Sequence, residues 1–146
     1  MINFIEGKIN LKAESVIIAS DYGYLNALAE KGLIEKRKDP GNGEDYFYAE
    51  AIAEDLRFGV IISLRNKKID YILLRWLDSP MKGWDDVSEK ALKDEYRLLL
   101  NFVEKNVGAP PDINSTRKRT WRFKWGQVDV SYEPRSFDAA IFMKPR

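Results

Sequence analysis

The sequence predicts an α+β domain: a mainly antiparallel sheet with one long helix packed on a face and one short N-terminal helix. Three observations carry that expectation. Residues 118–144 alternate apolar and polar side chains in three short runs, the period of half-buried strands. Residues 58–64 and 69–77 are two apolar, β-branched-rich runs joined by Arg65-Asn66-Lys67-Lys68, the form of a hairpin. Residues 86–106 space Leu92, Tyr96, Leu99 and Val103 at helical intervals. Strands and helices do not alternate along the chain as they do in parallel α/β sheets.

In order, Ile2, Phe4, Ile9 and Leu11 alternate loosely around Gly7, which suggests two short strands or one interrupted by a bulge. Val16-Ile17-Ile18 reads equally as a buried strand or as the approach to a helix. Residues 22–31 then place Leu25, Leu28 and Ala29 on one helical face, with Ser20 or Asp21 as N-cap and Gly32 as the left-handed residue past the end. Pro40-Gly41 and Asn42-Gly43 mark a loop, flanked by Leu33-Ile34 and Tyr46-Phe47-Tyr48 as paired strands. The hairpin over 58–77 has apolar side chains on both faces and belongs at the centre of the sheet. Asp86-x-x-Glu89 has the form of a capping box, and Gly108 with Pro110-Pro111 stops the long helix. The three closing strands are separated by Gly126-Gln127 and by Glu133-Pro134-Arg135-Ser136.

With 45% apolar residues the 146-residue chain has material for one core, and a single domain over 1–146 is expected. Zero cysteines exclude a disulfide framework and a thiolate nucleophile, and zero histidines remove the commonest general base and zinc ligand. Neither a metal nor a cofactor is expected. The N-terminal MINFIEGKINLK resembles no signal peptide and no apolar run is long enough to span a bilayer, so a cytoplasmic protein without a membrane partner is expected. Residues 1–116 carry a net charge of −4 and residues 117–146 one of +5.

Four constellations invite a chemical reading. Asp78, Asp85, Asp86 and Glu89 are candidates for an acid–base pair or a hard-cation site, though a helix N-terminus attracts carboxylates without any such role. Arg117 to Trp125 interleaves cations with Trp121, Phe123 and Trp125, as single-strand nucleic-acid binders do. Strand alternation sends those aromatics and Arg122 and Lys124 to opposite faces, so a nucleic-acid partner is not expected. The glycines of Asp39-Pro40-Gly41-Asn42-Gly43 lack the Lys-Ser/Thr and helix that a phosphate cradle needs. Tyr46, Phe47 and Tyr48 with Trp76 and Trp84 would line an aromatic ligand pocket or simply fill the core, and such a pocket would need a polar anchor such as Arg75 or Arg135.

The C-terminal pattern Trp125-Gly126-x-Val128-x-Val130-x-Tyr132-x-Pro134-Arg135, preceded by a hairpin and by a helix opened by Trp84-Asp85, resembles small bacterial immunity proteins encoded beside polymorphic toxins, including those of contact-dependent growth inhibition. The resemblance implies a non-enzymatic inhibitor that binds a cognate toxin, often a basic nuclease. Glu44, Asp45, Asp85, Asp86 and Glu89 are then the expected partner-binding residues, mimicking phosphate. Two other classes stay open: a small-ligand module with an aromatic pocket, and a carboxylate-based hydrolase with two converging acids.

Overall fold

The computed structural model describes residues 1–81 and 83–146, with Trp84 placed by its backbone alone. The chain is α+β, as expected. The strands Ile2–Asn3 (β1), Lys8–Asn10 (β2) and Ser15–Ile17 (β3) form a small antiparallel sheet, with Gly7 at φ +63° between the first two. After helix Tyr22–Glu30 (α1), the large sheet is built from Glu35–Lys38 (β4), Asp45–Ala53 (β5), Leu56–Arg65 (β6), Lys68–Trp76 (β7), Ile113–Asn114 (β8), Lys118–Phe123 (β9), Gly126–Glu133 (β10) and Asp138–Pro145 (β11). Its order is β4-β5-β6-β7-β11-β10-β9-β8, antiparallel throughout, so the two runs of consecutive strands, β4 to β7 and β8 to β11, meet where β7 pairs with β11. Helix Glu89–Val107 (α2) connects the two halves.

Local chemistry sets these elements. Asp21 caps α1 by accepting the Tyr24 N–H at 3.0 Å, and Gly32 follows at φ +75°. Asn66 and Lys67 both take positive φ in a two-residue turn, the geometry that favours a tightly twisted hairpin. Glu54 and Asp55 do the same between β5 and β6 without a Gly or Asn to signal it.

Several boundaries differ from the sequence reading. The α2 N-cap is Ser88, whose hydroxyl accepts the Ala91 N–H at 3.0 Å, while Asp86 ends a short 3-10 turn, Trp84–Asp86. A hydroxyl one residue before the helix outcompetes a carboxylate two residues further out. The strand paired with Tyr46 to Tyr48 is β4, not Leu33-Ile34, and β5 runs on to Ala53. The first C-terminal turn falls at Lys124-Trp125. Gly126 instead opens β10 at φ +152°, where a Cβ would lie 2.0 Å from the Lys144 carbonyl oxygen, so close backbone approach explains the glycine.

Register divides the large sheet into two faces. One carries Phe47, Ala49 and Ala51 of β5, Phe58, Val60 and Ile62 of β6, Ile72 and Leu74 of β7, Ile141 and Met143 of β11, Val128 and Val130 of β10, and Trp121 of β9, all buried. Helix α2 packs across it through Leu92, Tyr96, Leu99, Phe102 and Val103, with Tyr96 against Tyr132 and Phe102 against Phe58. Helix α1 covers the β4–β5 side, where Tyr22 meets Phe47. The small sheet closes the core through Phe4, which is fully buried and edge-on to Phe102 at 5.9 Å. Among the described residues, no helix or further strand covers the opposite face.

Candidate interaction surfaces

The uncovered face is where chemistry-bearing side chains gather, because period two sends every second residue of eight strands to it. Across the sheet its central row runs Glu35, Tyr48, Ile61, Leu73, Phe142, Asp129, Thr120. A flanking row runs Arg37, Tyr46, Ser63, Tyr71 and continues through Lys144, Gln127 and Arg122. On the other side stand Glu50, Gly59 and Arg75, then Ala140, Ser131 and Lys118. The middle is aromatic and aliphatic, with Tyr71 and Phe142 in ring contact at 5.9 Å. Leu73 and Ala140 are buried even there, shielded by their neighbours. The charges around them are matched in pairs: Arg75 to Asp138 at 2.7 Å, Arg57 to Asp78 at 3.1 Å and Arg37 to Glu35 at 2.9 Å. Arg37 also lies over the Tyr48 ring at 4.2 Å. Gly59 leaves room for Tyr48 and Leu77, both of which a Cβ there would crowd.

Asp129 is the most enclosed charge on this face, 1% exposed. Its carboxylate accepts from the Thr120 hydroxyl at 2.6 Å and from Gln127 Nε2, and Lys144 Nζ sits 3.1 Å away. Burial pushes its pKa up, but the hydrogen bonds from Thr120, Lys144 and Gln127 together prevail and hold it below the ordinary value. On α2 the reverse holds. Glu95 is buried on the covered side with Oε1 unpartnered among the described residues, and burial raises its pKa against the opposing hydrogen bond from Ser79. The two groups give opposite pH slopes. Asp129 stabilises the fold above its unfolded pKa, and that contribution is lost as pH falls through its lowered native value. Glu95 costs stability above its raised native pKa, and the cost fades as pH falls through that value. Chemical denaturation across pH should therefore find Asp129→Asn less stable than the parent at pH 7 but converging with it in acid, and Glu95→Gln more stable at pH 7 with its advantage vanishing in acid.

The sequence-derived candidates do not form one surface. Glu44 and Asp45 stand beside the Asn66-Lys67 turn, and Asp45 is held by Lys38 at 3.6 Å and by the Tyr22 hydroxyl at 3.1 Å. Asp85, Asp86 and Glu89 are reached from the opposite end of β7, in the 3-10 turn and first turn of α2. Glu89 pairs with Lys93 at 3.1 Å and Asp78 with Arg57, so these two acids meet cations rather than one another. Among the described residues, no group of three acids could hold a metal ion.

The aromatic set also splits. Phe47 enters the core, Tyr46 and Tyr48 face outward, and the Trp84 side chain lies outside the described residues. A cleft of about 860 Å³ beside α1 and β4 is lined by Tyr48 but otherwise by Leu33, Ile34, Lys12, Glu30, Glu35 and their neighbours. Neither Arg75 nor Arg135 lines it. On β9, Trp121 is buried and donates to the Ala109 carbonyl while Arg122 is exposed, so cation and aromatic part as alternation requires; Lys124, exposed too, lies in the following turn. Trp125 reaches back to the Phe4 carbonyl at 3.0 Å. No described helix is long and apolar enough to cross a membrane.

No family model, curated protein or solved structure matches the chain.

Proposed function

We propose that this protein is a non-enzymatic binding protein that neutralises a partner by docking it on the uncovered sheet face, in the manner of an immunity protein paired with a cognate toxin. The observation that carries the reading is the composition of that face: Tyr46, Tyr48, Ile61, Leu73, Tyr71 and Phe142 in the middle, with Arg37, Arg75, Lys144, Glu35 and Glu50 around them. Aromatic and Arg-rich centres with charged rims are the anatomy of protein interfaces. The sheet beneath supplies a rigid platform, which limits the ordering cost of binding. The resemblance of the C-terminal hairpins to toxin-immunity proteins supplies the partner class.

On this reading the acids at Glu44, Asp45, Asp85, Asp86 and Glu89 steer association from two ends of the molecule rather than forming the contact itself. Neutralising all five to amides should slow association at low salt and leave dissociation nearly unchanged. Stopped-flow binding to the protein encoded beside this one measures both rates. A large rise in dissociation rate instead would place the contact on those acids.

A further inference from the structure

A second surface lies at the margin of the large sheet. Strand β4 stops at Glu35, opposite Tyr48, whereas β5 continues to Ala53. Beyond Tyr48 no strand is hydrogen-bonded to the outward side of β5: β1 packs near it but pairs only with β2, and no other backbone or side-chain bond reaches residues 50–53 on that side among the described residues. An unpaired edge of this kind is a template for an added strand. Beside it, Ile52 is 65% exposed and Ile5 53% exposed. Both line one cleft of about 400 Å³ with Met1, Ile2, Asn3, Ala53, Glu54 and Asn106. Apolar side chains gathered on one exposed cleft at an unpaired strand edge are the kind of surface that interaction sites use.

The charge around the cleft chooses the occupant. Glu6, Glu50, Glu54 and Asp55 are all exposed on the segments that border it; of the cations nearby, Lys105 reaches Glu54 at 3.8 Å, and Arg57, the cross-strand partner of Ile52, is held by Asp78 at 3.1 Å. We propose that this edge binds an extended segment of a partner protein that alternates apolar and basic residues. Its backbone pairs with residues 50–53 in continuation of β4, one apolar side chain enters the Ile5–Ile52 cleft, and its Lys or Arg residues face Glu50 and Glu54. This is strand addition, in which main-chain bonds give affinity and alternate side chains give specificity. The site borders the uncovered face through Glu50 but is centred on the β5 edge, so Ile52→Lys tests this proposal and Tyr71→Ala with Phe142→Ala tests the other.

The probe is an acetylated, amidated eight-residue peptide alternating Lys and Val, titrated into the isotope-labelled protein and followed by amide chemical shifts and hydrogen exchange. Shifts centred on residues 49–53 with slowed exchange there are expected. Replacing every second Val by Pro, which removes donors, should abolish binding. Glu50→Gln with Glu54→Gln should weaken it about tenfold, equivalent to about 1.4 kcal/mol. Ile52→Lys, at an exposed position where circular dichroism should show the fold unchanged, should abolish it. Binding that survives Pro substitution, or shifts elsewhere on the surface, would overturn the proposal. So would an absence of binding at millimolar peptide. A concentration-dependent dimer that Ile52→Lys disperses would assign the edge to a second copy instead, and equally overturn it.

Discussion

Trp121→Ala is expected to cost about 3–5 kcal/mol of folding stability, the range for removing a large buried aromatic. Trp121 is 1% exposed, packs opposite Val128 on β10 and donates its indole N–H to the Ala109 carbonyl at 3.0 Å. Truncation opens a cavity beneath α2 and also strips that carbonyl of its donor in the segment leading out of the helix. A domain of this size holds about 5–15 kcal/mol in all, so the loss is a large share of the total. The melting temperature should fall by about 10 °C, read by calorimetry or circular dichroism. A fall of less than about 3 °C would mean that Trp121 is not the anchor of the C-terminal hairpins described above.

Phe4→Ala should cost a similar amount, about 3–5 kcal/mol, but with a different signature. Phe4 joins the small sheet to everything else. Its ring is buried against Phe102, its N–H donates to Asn106 Oδ1 at 3.3 Å, and its carbonyl accepts from Trp125 Nε1. Gly7 lies under the same Trp125 ring, where a Cβ would come within 2.7 Å of it. With the ring gone, β1, β2 and β3 should open locally before the large sheet does. Native-state hydrogen exchange separates the cases: protection should fall first at residues 2–17 in Phe4→Ala and throughout β9 and β10 in Trp121→Ala. Uniform loss of protection in both would mean that the small sheet is not a separable unit.

What the sequence disclosed and what it hid follow from how local each determinant is. The closing hairpins were legible because alternation runs through Val128, Val130 and Tyr132 and through Ala139 to Met143 almost without interruption. The hairpin turn at Asn66 was legible because asparagine tolerates positive φ. The far half of β5 was not. Its residues from Ala49 to Ala53 are three alanines with Glu50 and Ile52, weak strand formers apart from Ile52, and the following turn uses Glu54 and Asp55, both at positive φ, of which only Asp55 is a common turn residue. Gly126 was read as a break when it is a strand residue pressed against the Lys144 carbonyl, a tertiary demand that sequence cannot display.

The surfaces were less legible than the fold. Period two does separate Phe47 from Tyr46 and Tyr48, but nothing local says which face α2 will cover, and hence which tyrosines remain outside. Glu95 carried a usable signal, standing three residues after Leu92 and four before Leu99 on the buried stripe. The open edge of β5 depends on β4 stopping at Glu35, a matter of register between two strands rather than of either sequence. Acidic residues stood out in the sequence because carboxylates near turns are conspicuous, yet Asp45, Asp78 and Glu89 are each answered by a neighbouring cation in the fold.

The most direct test of the central claim is an amide-shift titration of the isotope-labelled protein with the product of the neighbouring gene. The largest changes should fall on the strands carrying Ile61, Tyr71, Leu73, Phe142 and Arg75, and Tyr71→Ala with Phe142→Ala should weaken the complex by about 2–4 kcal/mol without altering the fold. Changes confined to the exposed side of α2, or no complex at all, would contradict it.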